Sequence, residues 1–411
     1  MTSTLRHQIF FDALTGLDAN REEYVTIAAG LVTLRLLDTY TGPSLLAHNV
    51  DPDHALAVRG YVARDKVRPT IAGVLESVLD ALQHTDVGRA RAVTPRLLIY
   101  ARALEYEGRW ELAADVYQTA LELVSDAEDA ELLSTMHRDL GTCLRVIARF
   151  DEAADEYRVA LAIARQAGDV EGELWVQHAQ AALALQMGDG TGAERRLLAL
   201  QRKARAYRLS GLEAMVMLEM ATLHHSRGEF ARAACHVHAV LDRLPTPVAR
   251  DRALADLATD LCELGYRGAA RDAQLLAATT AHEWHVRQHA LINLMELAAI
   301  DGDLAAFDDY YRQLDGVRIL PRSEAYYLLY AARGMRAFGR YKAAEVLLQR
   351  GMDHVERHHL EAFSPEFEAE AQALARREPL APAPAPPEMT PEIAAIASDL
   401  RARRDMAGVG A

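Results

Sequence analysis

The chain has 411 residues, half of them apolar, and a formal charge of −14 from 45 basic and 59 acidic side chains. This length fits two or three ordinary domains or one elongated array, and the acidic balance argues against nucleic-acid binding, which needs clustered Lys and Arg. Cys143, Cys235 and Cys262 include no C-x-x-C pair, so no disulfide framework is expected and the thiols read as small core residues.

Residues 1–93 are expected to form an N-terminal helical cap or bundle, with helices over roughly 20–40, 52–65 and 68–84. The second of these opens at Asp51-Pro52, where the fixed φ of proline suits a first helical turn. Neither a leader-like start nor a run of eighteen apolar residues is present, so a soluble, cytoplasmic chain is expected.

From residue 94 the sequence repeats. "GRWELAADVYQTAL" from Gly108, "ARFDEAADEYRVAL" from Ala148 and "GEFARAACHVHAVL" from Gly228 share one template, with weaker copies at Gly188, Gly265, Gly302 and Gly339. The seven starts are spaced by 40, 40, 40, 37, 37 and 37 residues. A second apolar-periodic segment precedes each start, such as "TMHRDLGTCLRVIA" and "EAMVMLEMATLHHSR". Each unit is therefore two antiparallel helices, here A and B, joined by a turn at the small residue, where glycine accepts a left-handed backbone. Ala113, Ala153, Ala233 and Ala344 are small so that neighbouring helices approach, and Trp110, Phe150, Phe230 and Tyr341 are expected to fill the wedge between units.

The array is expected to span 94–363, followed by a capping helix over 364–377 and a Pro/Ala linker over 378–389, semi-rigid and extended. A short amphipathic tail helix over 390–406 has Thr390 as N-cap, Pro391 in its first turn and one apolar stripe of Ile393, Ile396 and Leu400. The stripe is suited to docking on the array's own surface or on a partner.

These features resemble the tetratricopeptide repeat family over about residues 94–360. Gly141, Ala153 and Ala160 match its small-residue positions in the second unit and Tyr157 its aromatic position, whereas in the sixth unit Phe307 stands where the family has a small residue. The resemblance implies an all-α, right-handed superhelical α-solenoid of about seven helix-turn-helix repeats. It also implies that the A helices line a concave groove. In this register the groove residues are Arg102, Glu105, Tyr106, Arg138, Asp139, Arg145, Trp175, His178, Glu219, His225, Arg252, Asp256, His285, His289, Asn293, Glu296, Tyr326, Tyr330, Arg333 and Arg336. Arginines and aromatics of this kind favour protein partners. Arg138 and Thr142 stand where the family's carboxylate clamp has Lys and Asn, so an acidic chaperone tail is not the expected ligand.

Motifs of chemistry are sparse. "GDGTGAERRLL" resembles a phosphate loop, but no strand precedes it, no Lys-Ser/Thr follows, and Gly188 falls on the repeat's turn. His354 and His358 have metal-ligand spacing, as do His285 and His289, while His282 and His289 lie about 10.5 Å apart along a helix, too far to share one ion. The helix holding them is expected to start near 281 with a capping box of Thr280 and Glu283. His282, His285, His289, Asn293 and Glu296 then form a polar rail open to tuning by pH. The expected function is a non-enzymatic scaffold or adaptor that binds a peptide or helix of a partner protein in the groove, with Arg102, Arg138, Arg333 and Arg336 pairing its carboxylates. No cofactor, metal, nucleic acid or membrane is expected, and a homo-oligomer is possible. The alternative is a peptide-responsive regulatory sensor similar in layout to the Rap-type bacterial regulators, which place a helical bundle before the repeats.

Overall fold

A computed structural model describes residues 5–15, 17–39, 52–82, 88–124, 129–317, 319–358, 360–380 and 385–409. Tyr40, Asp51, Gln83 and His84, assigned to or beside predicted helices, lie outside the described residues. The chain divides into two compact units, Met1–Arg196 and Leu197–Ala411. Among the described residues each unit is all-α, built of helices that pack on their neighbours in sequence, with no strand.

The first unit holds α1 (Gln8–Leu14), α2 (Glu22–Thr39), α3 (Pro52–Val62), α4 (Pro69–Leu82), α5 (Gly88–Tyr106), α6 (Trp110–Leu123), α7 (Ala130–Val146), α8 (Phe150–Ala167) and α9 (Val170–Gln186). Helix α1 is absent from the sequence reading because seven residues are too few for a periodic signal. It is fastened by His7, which is buried, hydrogen-bonds Asp115 on α6 at 2.5 Å and forms an ion pair with Asp38 on α2 at 3.1 Å. Burial alone would lower the His7 pKa, but the hydrogen bonds and charges of Asp115 and Asp38 outweigh it and raise the pKa to about 9. The bundle helices share one apolar core with the first repeats, from Phe10 through Leu75 to Tyr117 and Tyr157.

Helix α10 (Gly190–Ala206) contributes residues to each unit. The second unit continues with α11 (Ser210–Ser226), α12 (Phe230–Val240), α13 (Pro247–Glu263), α14 (Arg267–Thr280), α15 (Trp284–Ile300), α16 (Leu304–Leu314), α17 (Pro321–Ala337), α18 (Tyr341–Arg357), α19 (Ser364–Ala375) and α20 (Pro391–Met406). The A helices are α5, α7, α9, α11, α13, α15 and α17, and the B helices follow each of them.

All seven predicted turns are left-handed. The six glycines have φ between 69° and 85°, and Ala148 adopts the same conformation at 62°. Each turn closes with the same backbone bond, from the residue after the left-handed one to the carbonyl five back, at 2.7–2.9 Å, as from Arg109 to Leu104 and Arg340 to Met335. This is the helix-ending bond of a Schellman closure. Ala113, Ala153, Ala233 and Ala344 are fully buried, as close helix approach requires. The wedge is filled differently from expectation: Trp110, Phe150, Phe230 and Tyr341 are only half-buried at the helix starts, while Tyr117 and Tyr157, further along the same helices, are completely enclosed.

Phe307 is fully buried on α16, and it is accommodated because the facing residue on α17 is Gly334. Of the cysteines only Cys143 is a core residue; Cys235 is half-buried and Cys262 exposed. The tail helix α20 packs on α12 and α14, with Ile393, Ile396 and Leu400 all buried.

Candidate functional site

Within each unit, consecutive A helices join through the residues that the repeat register assigns to one face. In the first unit Arg102 on α5 pairs with Asp139 on α7 at 3.5 Å, and Asp139 also takes two bonds from Arg138 at 2.8 and 3.0 Å. The Arg138 guanidinium stands 6.0 Å above the half-buried Trp175 ring on α9, and Arg145 bonds Gln186 at 2.7 Å. Trp175 meets His178 edge-on at 5.9 Å. Tyr106 projects into solvent at 47 % exposure. Beneath this face Glu105 accepts a hydrogen bond from the Tyr117 hydroxyl at 2.8 Å and one from the Cys143 thiol at 3.5 Å. Burial, then the nearby Asp139 charge, raises the Glu105 pKa to about 7 against those two donors. Burial also pushes the Tyr117 hydroxyl and the Cys143 thiol up, which disfavours the thiolate.

The second unit repeats the pattern. His225 on α11 bonds Asp260 on α13 at 2.7 Å, Arg252 grips Glu283 with two bonds of 2.8 Å, Glu296 on α15 pairs with Arg333 on α17, and the His289 ring meets Tyr326 edge-on at 6.3 Å. Tyr326 and Tyr330 are half-buried, 5.6 Å apart, with Arg333 over the Tyr330 ring at 5.4 Å. A cleft of about 230 Å³ opens between α11, α12 and α13, lined by Thr222, His225, Thr259, Asp256 and Asp260. Asp256 reaches solvent in this cleft but is densely surrounded by protein. That enclosure, then the charge of Asp260, raises its pKa to about 7.

Several expectations are corrected. Arg336 and His178 are buried, not groove-exposed. Arg336 is enclosed because α19 brings Glu370 onto it, with one oxygen at 3.1 Å and the other closer, while the Glu378 carbonyl accepts a further bond. Arg102, Arg138, Arg252 and Arg333 likewise hold carboxylates of the chain itself, so the face is not a row of free guanidinium groups. Nor do the histidines form one continuous rail. Helix α15 begins at Trp284 with Glu283 as its N-cap, and Thr280 ends α14 with its hydroxyl bonded back to Leu276, so no capping box forms.

His282 therefore precedes the helix and bonds Asp251 at 3.1 Å, His285 faces Glu283 at 3.3 Å, and His289 shares a 3.3 Å contact with Asn293. Burial, then the His285 charge, lowers the His289 pKa. His354 bonds the Pro321 carbonyl at 2.8 Å. Among the described residues no group of three or more His, Cys, Asp or Glu side chains is arranged to hold a metal ion, and no helix is long and apolar enough to cross a membrane. Sequence reasoning missed the carboxylates that hold the arginines, Glu283 and Glu370, because each sits at a helix start or on the capping helix, outside the repeat template.

The pairing of A helices, the left-handed turns and the buried alanines meet in one comparison. Residues 94–166, which run from within α5 to the last turn of α8, match the family model of the tetratricopeptide repeat. Over that stretch the chain is similar to tetratricopeptide repeats. No curated protein matches it in sequence. Among solved structures, a Rap protein complexed with Competence and Sporulation Factor is similar at 15 % identity, over 85 % of this chain and 100 % of that one, with a TM-score of 0.47. BtubC (BKLC) from P. vanneervenii is similar at 17 % identity, over 62 % of this chain and 94 % of that one, with a TM-score of 0.38. The A-helix faces are thus the candidate interaction surface of each unit.

Proposed function

We propose that this chain is a non-enzymatic interaction scaffold whose A-helix faces bind a segment of a partner protein. The observation that carries the reading is the cleft around Asp256. Its carboxylate is accessible and lies near Asp260, with His225 already bonded to Asp260, so the cleft favours an incoming cation. An Arg or Lys side chain of a partner meets that need, and half-buried Tyr326 and Tyr330 of the same unit offer aromatic surface for the rest of a segment. The arginines serve as wall, holding carboxylates of their own chain, rather than as hooks for an acidic ligand. This reverses the charge of the partner expected from sequence, from acidic to basic.

Photo-crosslinking residues placed at Thr259 and at Tyr326, with one at Val346 on the B helix α18 as a control, test this in the source cell. Adducts to the same protein from Thr259 and Tyr326, absent from Val346 and lost in the Asp256→Arg variant, are expected. Adducts from Val346 alone, or an unchanged yield in Asp256→Arg, would refute the proposal.

A further inference from the structure

The tail helix is seated as a ligand is seated. Ile393, Ile396 and Leu400 enter an apolar trough whose core includes Ala233 and Val237 of α12 and Ala273 and Ala277 of α14. The small side chains of both B helices leave room for a third helix to lie across them. Charge fixes its direction. Arg403 takes both oxygens of Asp242 at 2.9 and 2.7 Å, Arg404 reaches the buried Asp272 at 2.7 Å, and Asp399 meets His238 at 2.9 Å. The helix carries its own N-cap, since Thr390 accepts from the Ile393 amide, and the stretch that joins it to α19 includes five prolines within twelve residues, 378–389. A helix with its own cap, its own apolar stripe and its own charge anchors is a separable binding element.

We propose that the trough between α12 and α14 is a helix-binding site that takes the tail helix of a second copy of this chain as well as its own, so that two copies are joined by reciprocal exchange of α20. Every copy carries both the trough and a tail that matches it, so the exchanged pair keeps each apolar and ionic contact of the closed form. This is the symmetry of an isologous swap. Association is opposed by the entropy of joining two bodies and by the high local concentration of a tethered tail, on the order of millimolar for a short linker. The linker shifts that balance: a proline-rich sequence favours extension, up to about 37 Å for twelve residues, and limits the compact paths back to the trough of the same chain. The closed monomer is the resting form, and exchange follows release of the tail.

Charge exchange in the full-length protein tests this. One variant carries Arg403→Asp and Arg404→Asp, the other Asp242→Arg and Asp272→Arg. Each repels its own tail, whereas in the mixture both tails find opposite charge on the other copy. Sedimentation velocity is expected to show each variant alone at monomer mass and the mixture at twice that mass. All four substitutions in one chain restore the closed monomer. A mixture that stays at monomer mass, with both variants melting as the wild type does, overturns the proposal.

A second measurement covers the case in which a reversed trough fails to fold. The Ile396→Asp/Leu400→Asp full-length variant leaves the trough sequence intact but empties it, and a fluorescent peptide of residues 388–408 is titrated onto it. Saturable binding, weakened at least tenfold by Arg403→Asp/Arg404→Asp in the peptide, supports a site that works in trans, and no binding overturns it.

Discussion

Gly334→Ala separates helix propensity from packing because the two act with opposite sign. Gly334 lies within α17, where alanine is intrinsically favoured over glycine by about 1 kcal/mol. A Cβ built on it, however, stands 2.6 Å from Cζ and 2.8 Å from Cδ2 of the fully buried Phe307, and closer still to Cε2. The ring is also held by Phe338 at 5.3 Å and Tyr311 at 6.2 Å, so it has little room to slide. Overpacking of this kind costs about 1–3 kcal/mol, and here it belongs at the upper end. The net expectation is a loss of about 1–2 kcal/mol, which for a unit of this size lowers Tm by about 3–6 °C. Thermal and urea melts of Gly334→Ala, Phe307→Leu and the double variant measure it. In the Phe307→Leu background the alanine is expected to be neutral or stabilising. A Gly334→Ala protein that melts higher than wild type, or an equal penalty in both backgrounds, would refute the account of how Phe307 is accommodated.

Ala148 is the one turn residue of the seven that is not glycine, and its φ of 62° costs an L-residue about 1–2 kcal/mol. After the entropy penalty of glycine, Ala148→Gly is expected to stabilise by about 0.5–1 kcal/mol, read as a rise in Tm. The pKa of His7 is raised from 6.5 to about 9 in the folded chain, so its contribution is fully present below pH 6.5 and is lost as pH climbs through 9. Wild type is therefore expected to lose about 3 kcal/mol relative to a His7→Gln protein between those limits; denaturant melts at pH 6 and 9.5 with parallel trends would contradict the role given to His7. Asp256 also loses stability as pH rises, but by gaining an unfavourable charge: with its pKa raised from 3.8 to about 7, its ionisation opposes folding above 3.8 and does so fully above 7. Asp256→Asn is accordingly expected to raise Tm at pH 8 but not at pH 4, and an equal rise at both would remove the electrostatic explanation.

Much of the fold was legible in sequence because it is enforced locally. A left-handed turn leaves a glycine, close helix approach leaves an alanine, and both recur at the repeat period, so Gly108 and Ala113 are legible together. Residues that the repeat register sets on one face of the A helices include contacting pairs, Arg102 with Asp139 and His289 with Tyr326. What those side chains do there was not legible. Whether Arg336 is free depends on Glu370, thirty-four residues away on a helix outside the template. Likewise the capping-box pattern at Thr280 and Glu283 lost to two longer-range demands, since Thr280 completes α14 and the Glu283 carboxylate is held by Arg252. Short α1 left no periodic trace, and its hold on the core through His7 is a tertiary fact.

The arginines of the A-helix face already neutralise carboxylates of their own chain, and this sets how binding responds to ionic strength. A guest carboxylate has to displace Asp139, Glu296 or Glu370 from a guanidinium, trading one ion pair for a similar one, so that exchange carries little net electrostatic drive. Affinity for a segment lying on Tyr326 and Tyr330 will then change little with salt, because apolar contact is not screened. The steep part of any salt dependence belongs to the few groups left unneutralised, with Asp256 foremost, and a salt titration on the bound complex therefore reports how many of those groups the guest covers.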